Sequence, residues 1–360
     1  MSITKKEYFK RQTTLSEISD KGQQLLQQAK VLVIGCGGLG SPIAIYLSVS
    51  GVGELHLVDF DTVSVSNLHR QVFYKIEDTG KLKAEILANE IIKRTPFTKV
   101  SFTNKAVVKN SILELVSKFD VVVDGTDNLQ IKYLINDACV LAKKPLVYGS
   151  LYKFDGYVST FNVLNDDGTY TCNLRDAFPK IATYIPNCEE AGTLNPIVGT
   201  IALLQVNEVV KLITKTGNLL VNQLLICNVL ENTQFKMKLK KNNSFIFEEI
   251  FNNSEYLDIH CTTQNEDFLI SSSQLKERIL DKELEIISVI NNLDTVIPFR
   301  VHKKIPHNRF NSDDFIPDFK KYYVIVCSKG ILSYDVTLKL RKKYPSLKVF
   351  SLVEGIEKYN

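Results

Sequence analysis

A chain of 360 residues, 44% hydrophobic and 23% charged, has the composition of a soluble globular protein with room for two cores. A formal charge of +4 is too small to argue for nucleic acid, and a pI near 8.5 favours an acidic partner only weakly. The opening Met1-Ser2-Ile3-Thr4-Lys5-Lys6-Glu7 lacks the apolar run of a signal peptide, and no segment approaches ~18 uninterrupted apolar residues, so no membrane association is expected.

The first two thirds of the chain alternate strands with helices. Val31-Leu32-Val33-Ile34 reads as a buried strand running into Gly35-Cys36-Gly37-Gly38-Leu39-Gly40. That Gly-x-Gly-x-x-Gly turn lets backbone amides close on phosphate oxygens at a helix N-terminus. A helix continues over Pro42 to Val49, with proline tolerated in its first turn. A second strand, Leu55 to Val58, ends at Asp59, 19 residues after Gly40, where an acid can bond ribose hydroxyls. Then come Ser66-Asn67-Leu68-His69-Arg70-Gln71 and Lys83, polar and cationic groups beyond what holding a dinucleotide requires.

Lys81 to Arg94 puts Ala84, Leu87, Ala88, Ile91 and Ile92 on one helical face, and Pro96 stops it. The strand Val121-Val122-Val123 leads to Asp124-Gly125-Thr126-Asp127-Asn128 and a helix carrying Tyr133 and Leu134. Leu146-Val147-Tyr148 is a further strand; Gly156 to Val163 and Leu224 to Leu239 change to a period of two. The fold expected is α/β, a Rossmann-like, mostly parallel sheet with an antiparallel extension. Between the last two segments, about Asn165 to Pro196 is polar and without a clean period, as a long functional loop would be.

A polar break from Lys240 to Ser254 marks a linker, which divides the chain into residues 1–240, a linker at 241–268 and a smaller α/β domain at 269–360. Within the last, helices are expected at Ser273 to Leu280 and Ser333 to Lys343. Strands are expected at Glu285 to Ile290, Tyr323 to Val326 and Lys348 to Leu352.

From about Tyr8 to Leu239 these motifs resemble the MoeB/ThiF/HesA family, relatives of ubiquitin-activating enzymes. The likeness rests on Arg11-Gln12, the glycine turn, Asp59-Phe60-Asp61, Asn67 to Gln71, Lys83, Asp127-Asn128, and Cys188-Glu189-Glu190-Ala191-Gly192. It implies ATP-dependent adenylation of the C-terminal glycine of a ubiquitin-like sulfur-carrier protein ending in Gly-Gly, in molybdopterin or thiamine biosynthesis. ATP would lie on Gly35, Gly37, Gly38 and Gly40, with Asp59 on the ribose and Asp61, Ser66, Gln71 and Asn128 nearby. Asn67, Arg70 and Lys83 would surround the triphosphate, and Asp127 would hold Mg²⁺. Arg11 would reach the nucleotide site of a second copy, making a two-fold homodimer. Taken singly, Arg70 and Lys83 also read as solvated charges, Asp127 as a helix cap or Asx turn and Arg11 as a surface residue.

Seven cysteines, an odd number scattered from Cys36 to Cys327, do not form a secreted disulfide framework and fit a reducing cytoplasm. Cys188, which in relatives lies on a loop crossing the active site, is either an acyl or persulfide acceptor or a plain loop cysteine. Glu189 and Glu190 disfavour a lowered thiol pKa. The family's zinc uses two Cys-x-x-Cys pairs. Here only Cys172 stands at such a position, opposite Thr169, so no zinc is expected.

Leu269 to Tyr359 resembles a rhodanese module, fed in such proteins by a sulfur donor such as a cysteine desulfurase. Its loop Cys327-Ser328-Lys329-Gly330-Ile331-Leu332-Ser333 keeps the persulfide cysteine but has Leu332 in place of the family's arginine. Ser288-Val289-Ile290 replaces Asp-Val-Arg, while Ile305-Pro306-His307 matches loosely. Active sulfur transfer and a degenerate docking role both stay open. An NAD-dependent oxidoreductase would explain the glycine turn and Asp59 but not Asn67 to Arg70, Lys83 or Cys188. A non-catalytic scaffold binding carrier proteins would need no ATP.

Overall fold

A computed structural model describes residues 3–179, 192–254, 256, 265–328 and 330–359. The chain forms two compact units, residues 1–256 and 257–360.

In the first unit, strands β1 (Lys30–Ile34), β2 (Glu54–Val58), β3 (Lys99–Thr103), β4 (Val121–Asp124) and β5 (Leu146–Tyr152) are parallel. Strands β6 (Asp155–Phe161), β7 (Gln223–Asn228) and β8 (Thr233–Lys238) extend the sheet antiparallel, giving the order β3-β2-β1-β4-β5-β6-β7-β8. Successive strand residues point to opposite faces, so a sheet covered on both sides needs apolar residues at every position. β1 shows this directly. Val31 and Val33 join the core with Ile43 of helix α2 (Gly40–Val49) and Leu87 of α3 (Lys83–Arg94). Leu32 and Ile34 join Ile112 of α4 (Lys109–Ser117) and Leu134 of α5 (Leu129–Leu141) on the other face.

The helix over Ser19–Gln28 is α1, and short helical turns occupy Lys5–Tyr8, Lys10–Thr13 and Leu174–Ala177. Ile92 is 62% exposed, so the apolar face of α3 is narrower than its sequence suggests; Ala84, Leu87, Ala88 and Ile91 are the residues that bury. Helix α6 (Asn195–Thr214) carries little amphipathic signal because polar Gln205 and Glu208 bury on its inner face while Leu203 is exposed on its outer one. Ile197, Val198, Ile201 and Ala202 all bury against the sheet, and half of its most apolar window is inside the molecule, though by length and composition it could cross a membrane. The polar stretch 241–268 is not all connector. Helix α7 (Phe247–Asn253) packs on α5, and Phe251 and Tyr256 bury in the core of the first unit.

The second unit is a five-stranded parallel sheet in the order β11-β10-β12-β13-β9. The strands are β9 (Leu269–Ile270), β10 (Leu284–Ser288), β11 (Lys303–Lys304), β12 (Tyr322–Val326) and β13 (Val349–Leu352). Helix α8 (Ser272–Arg278) starts with a capping box between Ser271 and Gln274. Helix α9 (Ile331–Lys343) puts Val336 and Leu340 into a core with Ile286, Val324 and Leu352.

Candidate active site

Strand order reverses between β1 and β4, and an open α/β sheet leaves a crevice beyond the carboxyl ends of its strands at such a point. The register sets Ile34 beside Val58 on one side and Asp124 on the other. The glycine turn, Asp59 and the 124–128 loop therefore leave the sheet at one edge. Gly35 has a φ of +88°, and a Cβ there would meet the Gly125 carbonyl carbon at 2.7 Å. A Cβ on Gly40 would lie 1.7 Å from the Gly35 oxygen. The turn thus needs glycine at both ends: one for the left-handed backbone, one for the close approach of α2.

Asp59 is locked into this turn. Its Oδ2 accepts from the Cys36 amide at 2.6 Å and its Oδ1 from the Asp61 amide at 2.8 Å. Burial pushes its carboxyl pKa upward, opposed by the charge of Lys83 and by the two amides. Each oxygen keeps a lone pair for a further donor such as a ribose hydroxyl. Tyr74, which the sequence reading passed over, donates from its hydroxyl to the Cys36 carbonyl at 2.6 Å and braces the turn from below.

Lys83 opens α3 and is buried, with its Nζ 3.0 Å from Asp61 Oδ2. It is held in place rather than solvated. The segment Val65–Asn67 is a single 3-10 turn, and Asn67 Oδ1 accepts from Gln71 Nε2 at 2.8 Å. Arg70 is half-buried, and its Nη1 donates to the Ser66 carbonyl at 3.3 Å. Ser66 Oγ accepts from Asn67 Nδ2 at 3.1 Å and shares a hydrogen bond with the Ser64 hydroxyl at 3.0 Å.

Asp127 is exposed and makes no hydrogen bond or ion pair among the described residues. It is not the cap of α5: Asn128 is, accepting from the Ile131 amide at 3.1 Å. A free carboxylate at the crevice suits a hard cation that also takes phosphate oxygens.

Arg11 lies elsewhere. Its turn is anchored by Gln12, which donates to the Ser50 carbonyl beyond the C-terminus of α2. The ten residues of α2, about 15 Å, separate that anchor from the glycine turn.

Cys188, Glu189 and Glu190 lie outside the described residues. Cys172 is buried, its thiol pKa raised to about 11 by burial, and its amide donates to Asn222 Oδ1 at 2.8 Å. Thr169 hydrogen-bonds Asp167. After β8, Lys241 reaches the Tyr170 carbonyl and the Asn242 amide donates to Asp176 Oδ1 at 2.7 Å, so hydrogen bonds join these two segments.

In the second unit, Cys327 follows β12 at 2% exposure, and its Sγ accepts from the Ser333 amide at 3.3 Å at the start of α9. Gly330 has a φ of +82°, which suits glycine in that loop. Leu332 packs partly buried against the core. His307 Nε2 is 2.7 Å from Asp335 Oδ2, and Lys339 shares that carboxylate.

The ThiF family model matches residues 9–245, two thirds of the sequence and all of the crevice residues just described. The chain belongs to the ThiF family. Among ThiF relatives, a sulfur carrier protein adenylyltransferase of Thermus thermophilus is 37% identical over 246 residues, 67% of this chain and 91% of its own. A probable adenylyltransferase/sulfurtransferase MoeZ of Mycobacterium tuberculosis is 37% identical over 238 residues, 66% of this chain and 60% of that protein. The chain therefore spans under two thirds of that relative's length. The likeness to an adenylyltransferase and sulfurtransferase MOCS3 of Drosophila sechellia, 29% identical, runs through 97% of this chain and 81% of that protein, so it takes in both units. Escherichia coli MccB crystallised with ATP superposes with a TM-score of 0.55 at 25% identity, covering 63% of this chain and 68% of that one. Its match supports the ThiF fold of the first unit.

Proposed function

We propose that this ThiF-family chain uses ATP to adenylate the C-terminal glycine of a ubiquitin-like sulfur-carrier protein ending in Gly-Gly. The observation that carries the reading is the convergence at one sheet edge of a phosphate-binding turn, a fixed ribose acceptor, two cations and a free carboxylate. In the reaction the carrier's carboxylate oxygen attacks the α-phosphorus. The bond from that phosphorus to its bridging oxygen breaks, and pyrophosphate leaves. Amides of Gly37, Gly38 and their neighbours face the phosphates, and Asp59 orients the ribose. Lys83, fixed by Asp61, and Arg70 stabilise charge that grows on the leaving oxygens; such preorganised donors work because they need not reorganise during reaction. Asp127 would hold Mg²⁺, which when bound neutralises phosphate charge. No residue of the chain need be acylated for this step.

Arg11 belongs in this scheme as a group delivered to a second copy's site, because in its own chain it is anchored a helix length from the turn. A homodimer in the cytoplasm, with the second unit as the docking place for a sulfur donor such as a cysteine desulfurase, completes the reading. The test is ATP–pyrophosphate exchange with purified carriers from molybdopterin and thiamine synthesis. Exchange that depends on one carrier is expected, falling about 10²–10³-fold in Arg70→Ala. Exchange absent with every Gly-Gly carrier, while ATP still binds, would refute the assignment.

A further inference from the structure

Behind the crevice lies a buried charge pair that the adenylation scheme does not use. Lys132 sits on α5 with its side chain 3% exposed, and its Nζ is 3.0 Å from Oδ2 of Asp124, whose side chain is fully buried. The ammonium also donates to the Gly149 carbonyl at 2.7 Å and lies 5.2 Å from the Tyr148 ring centre. Asp124 turns its other oxygen forward. Oδ1 accepts from the Thr126 amide at 3.0 Å and from the Thr126 hydroxyl at 2.7 Å. Its carbonyl accepts from Gln205 Nε2 at 2.9 Å, and a Cβ on neighbouring Gly125 would meet the Gly35 oxygen at 2.8 Å. The loop is thus clamped from behind, from the side and against the glycine turn. The next residue along it is Asp127, the exposed carboxylate that has no partner among the described residues.

We infer that Lys132 is a positioning residue for the metal-nucleotide complex: through Asp124 and Thr126 it fixes the loop that presents Asp127. This rests on the proposed role of Asp127 toward Mg²⁺ and ATP. A buried carboxylate needs a paired cation and full hydrogen bonding to offset the water it has lost. Lys132 supplies the cation, and the bonds left over shape the loop. Losing a partner that orients a metal-binding group from behind typically costs about 10–100-fold in metal affinity. Gly149 serves the same arrangement, because its backbone is both the acceptor for Lys132 and the wall against Gln205, where a Cβ would lie 2.2 Å from the amide oxygen.

The experiment is calorimetric titration of ATP into the full chain with and without Mg²⁺, which needs no carrier and no turnover. In the native protein Mg²⁺ should tighten ATP binding. Lys132→Met should weaken the Mg²⁺-supported affinity about tenfold and leave metal-free ATP affinity unchanged, while Lys132→Arg restores most of the effect. Since Lys132→Met removes a buried charge and can cost folding, Thr126→Val is the second variant. It deletes only the hydroxyl donor to Asp124 and should shift the same ratio in the same direction. Thr126→Val or folded Lys132→Met with the native ratio would overturn the inference. A native protein that binds ATP with no response to Mg²⁺ would instead remove the role of Asp127 on which it stands, and with it the inference. Carrier-dependent exchange can fail independently of either result.

Discussion

In the proposed site Asp59 combines two demands that pull against each other. Binding ribose hydroxyls calls for an ionised acceptor, yet burial in the glycine turn raises its pKa above that of an ordinary carboxyl. Because the folded-state pKa is raised, protonation on acidification begins at a higher pH than for an exposed aspartate, and the charged acceptor is lost early. Stability moves the other way, falling as pH rises from the unfolded-state pKa through the folded one. Adenosine, which has no titrating phosphates, should therefore bind more weakly as pH falls toward that raised value. Asp59→Asn should bind weakly at all pH values with a flat profile. A native profile parallel to that of Asp59→Asn would show that Asp59 does not hold the ribose. The position of Asp59 is legible in the sequence because an apolar strand ends just before it, 19 residues after the glycine turn. Lys132 is not, because a lysine in an apolar helix gives no sign of the carboxylate it meets until the sheet register brings Asp124 beside it.

At the scale of elements, period and punctuation carried the reading where a segment has one clear environment. β1, α2, α3 and β4 are each legible in the sequence to within a few residues because the glycine turn, Pro96 and the Asp-Asn pair bound them. Helix α6 gives no clean period of 3.6 for a physical reason: Gln205 and Glu208 bury on its inner face with the apolar residues, while Leu203 is exposed on the outer one. Helix α7 was hidden in a polar stretch because only Phe251 of its seven residues buries. The glycine turn is where an element is most exacting. Gly40→Ala would drive a Cβ to within 1.7 Å of the Gly35 carbonyl oxygen, and neither backbone can yield without moving α2 off β1. Overpacking of this kind costs about 1–3 kcal/mol or more. Urea unfolding of Gly40→Ala should show that loss together with loss of ATP binding. A change within about 0.5 kcal/mol, as for an ordinary surface substitution, would mean the turn is looser than its geometry.

For the whole molecule, the two units divide the chemistry. The groups proposed for adenylation lie on the first, and in that step the carrier's own carboxylate would attack the α-phosphorus, so the proposal requires no thiol of the chain. Cys188→Ala and Cys327→Ala should both keep carrier-dependent ATP–pyrophosphate exchange at the native rate. The second unit keeps the strand–loop–helix setting of a sulfur-transfer site: Cys327 at the end of β12, a left-handed Gly330, and the Ser333 amide aimed at the sulfur. What it lacks is the guanidinium, because Leu332 stands there and packs toward the core instead. An anionic donor such as thiosulfate loses a planar, two-pronged partner at that position, and a charge-assisted bond of that type is about twice as strong as a neutral one. The native chain should consequently turn over thiosulfate poorly, and Leu332→Arg should raise the rate while leaving exchange untouched. Thiosulfate turnover in the native chain equal to that of an arginine-bearing rhodanese, and abolished by Cys327→Ala, would show that the loop amides suffice without the guanidinium.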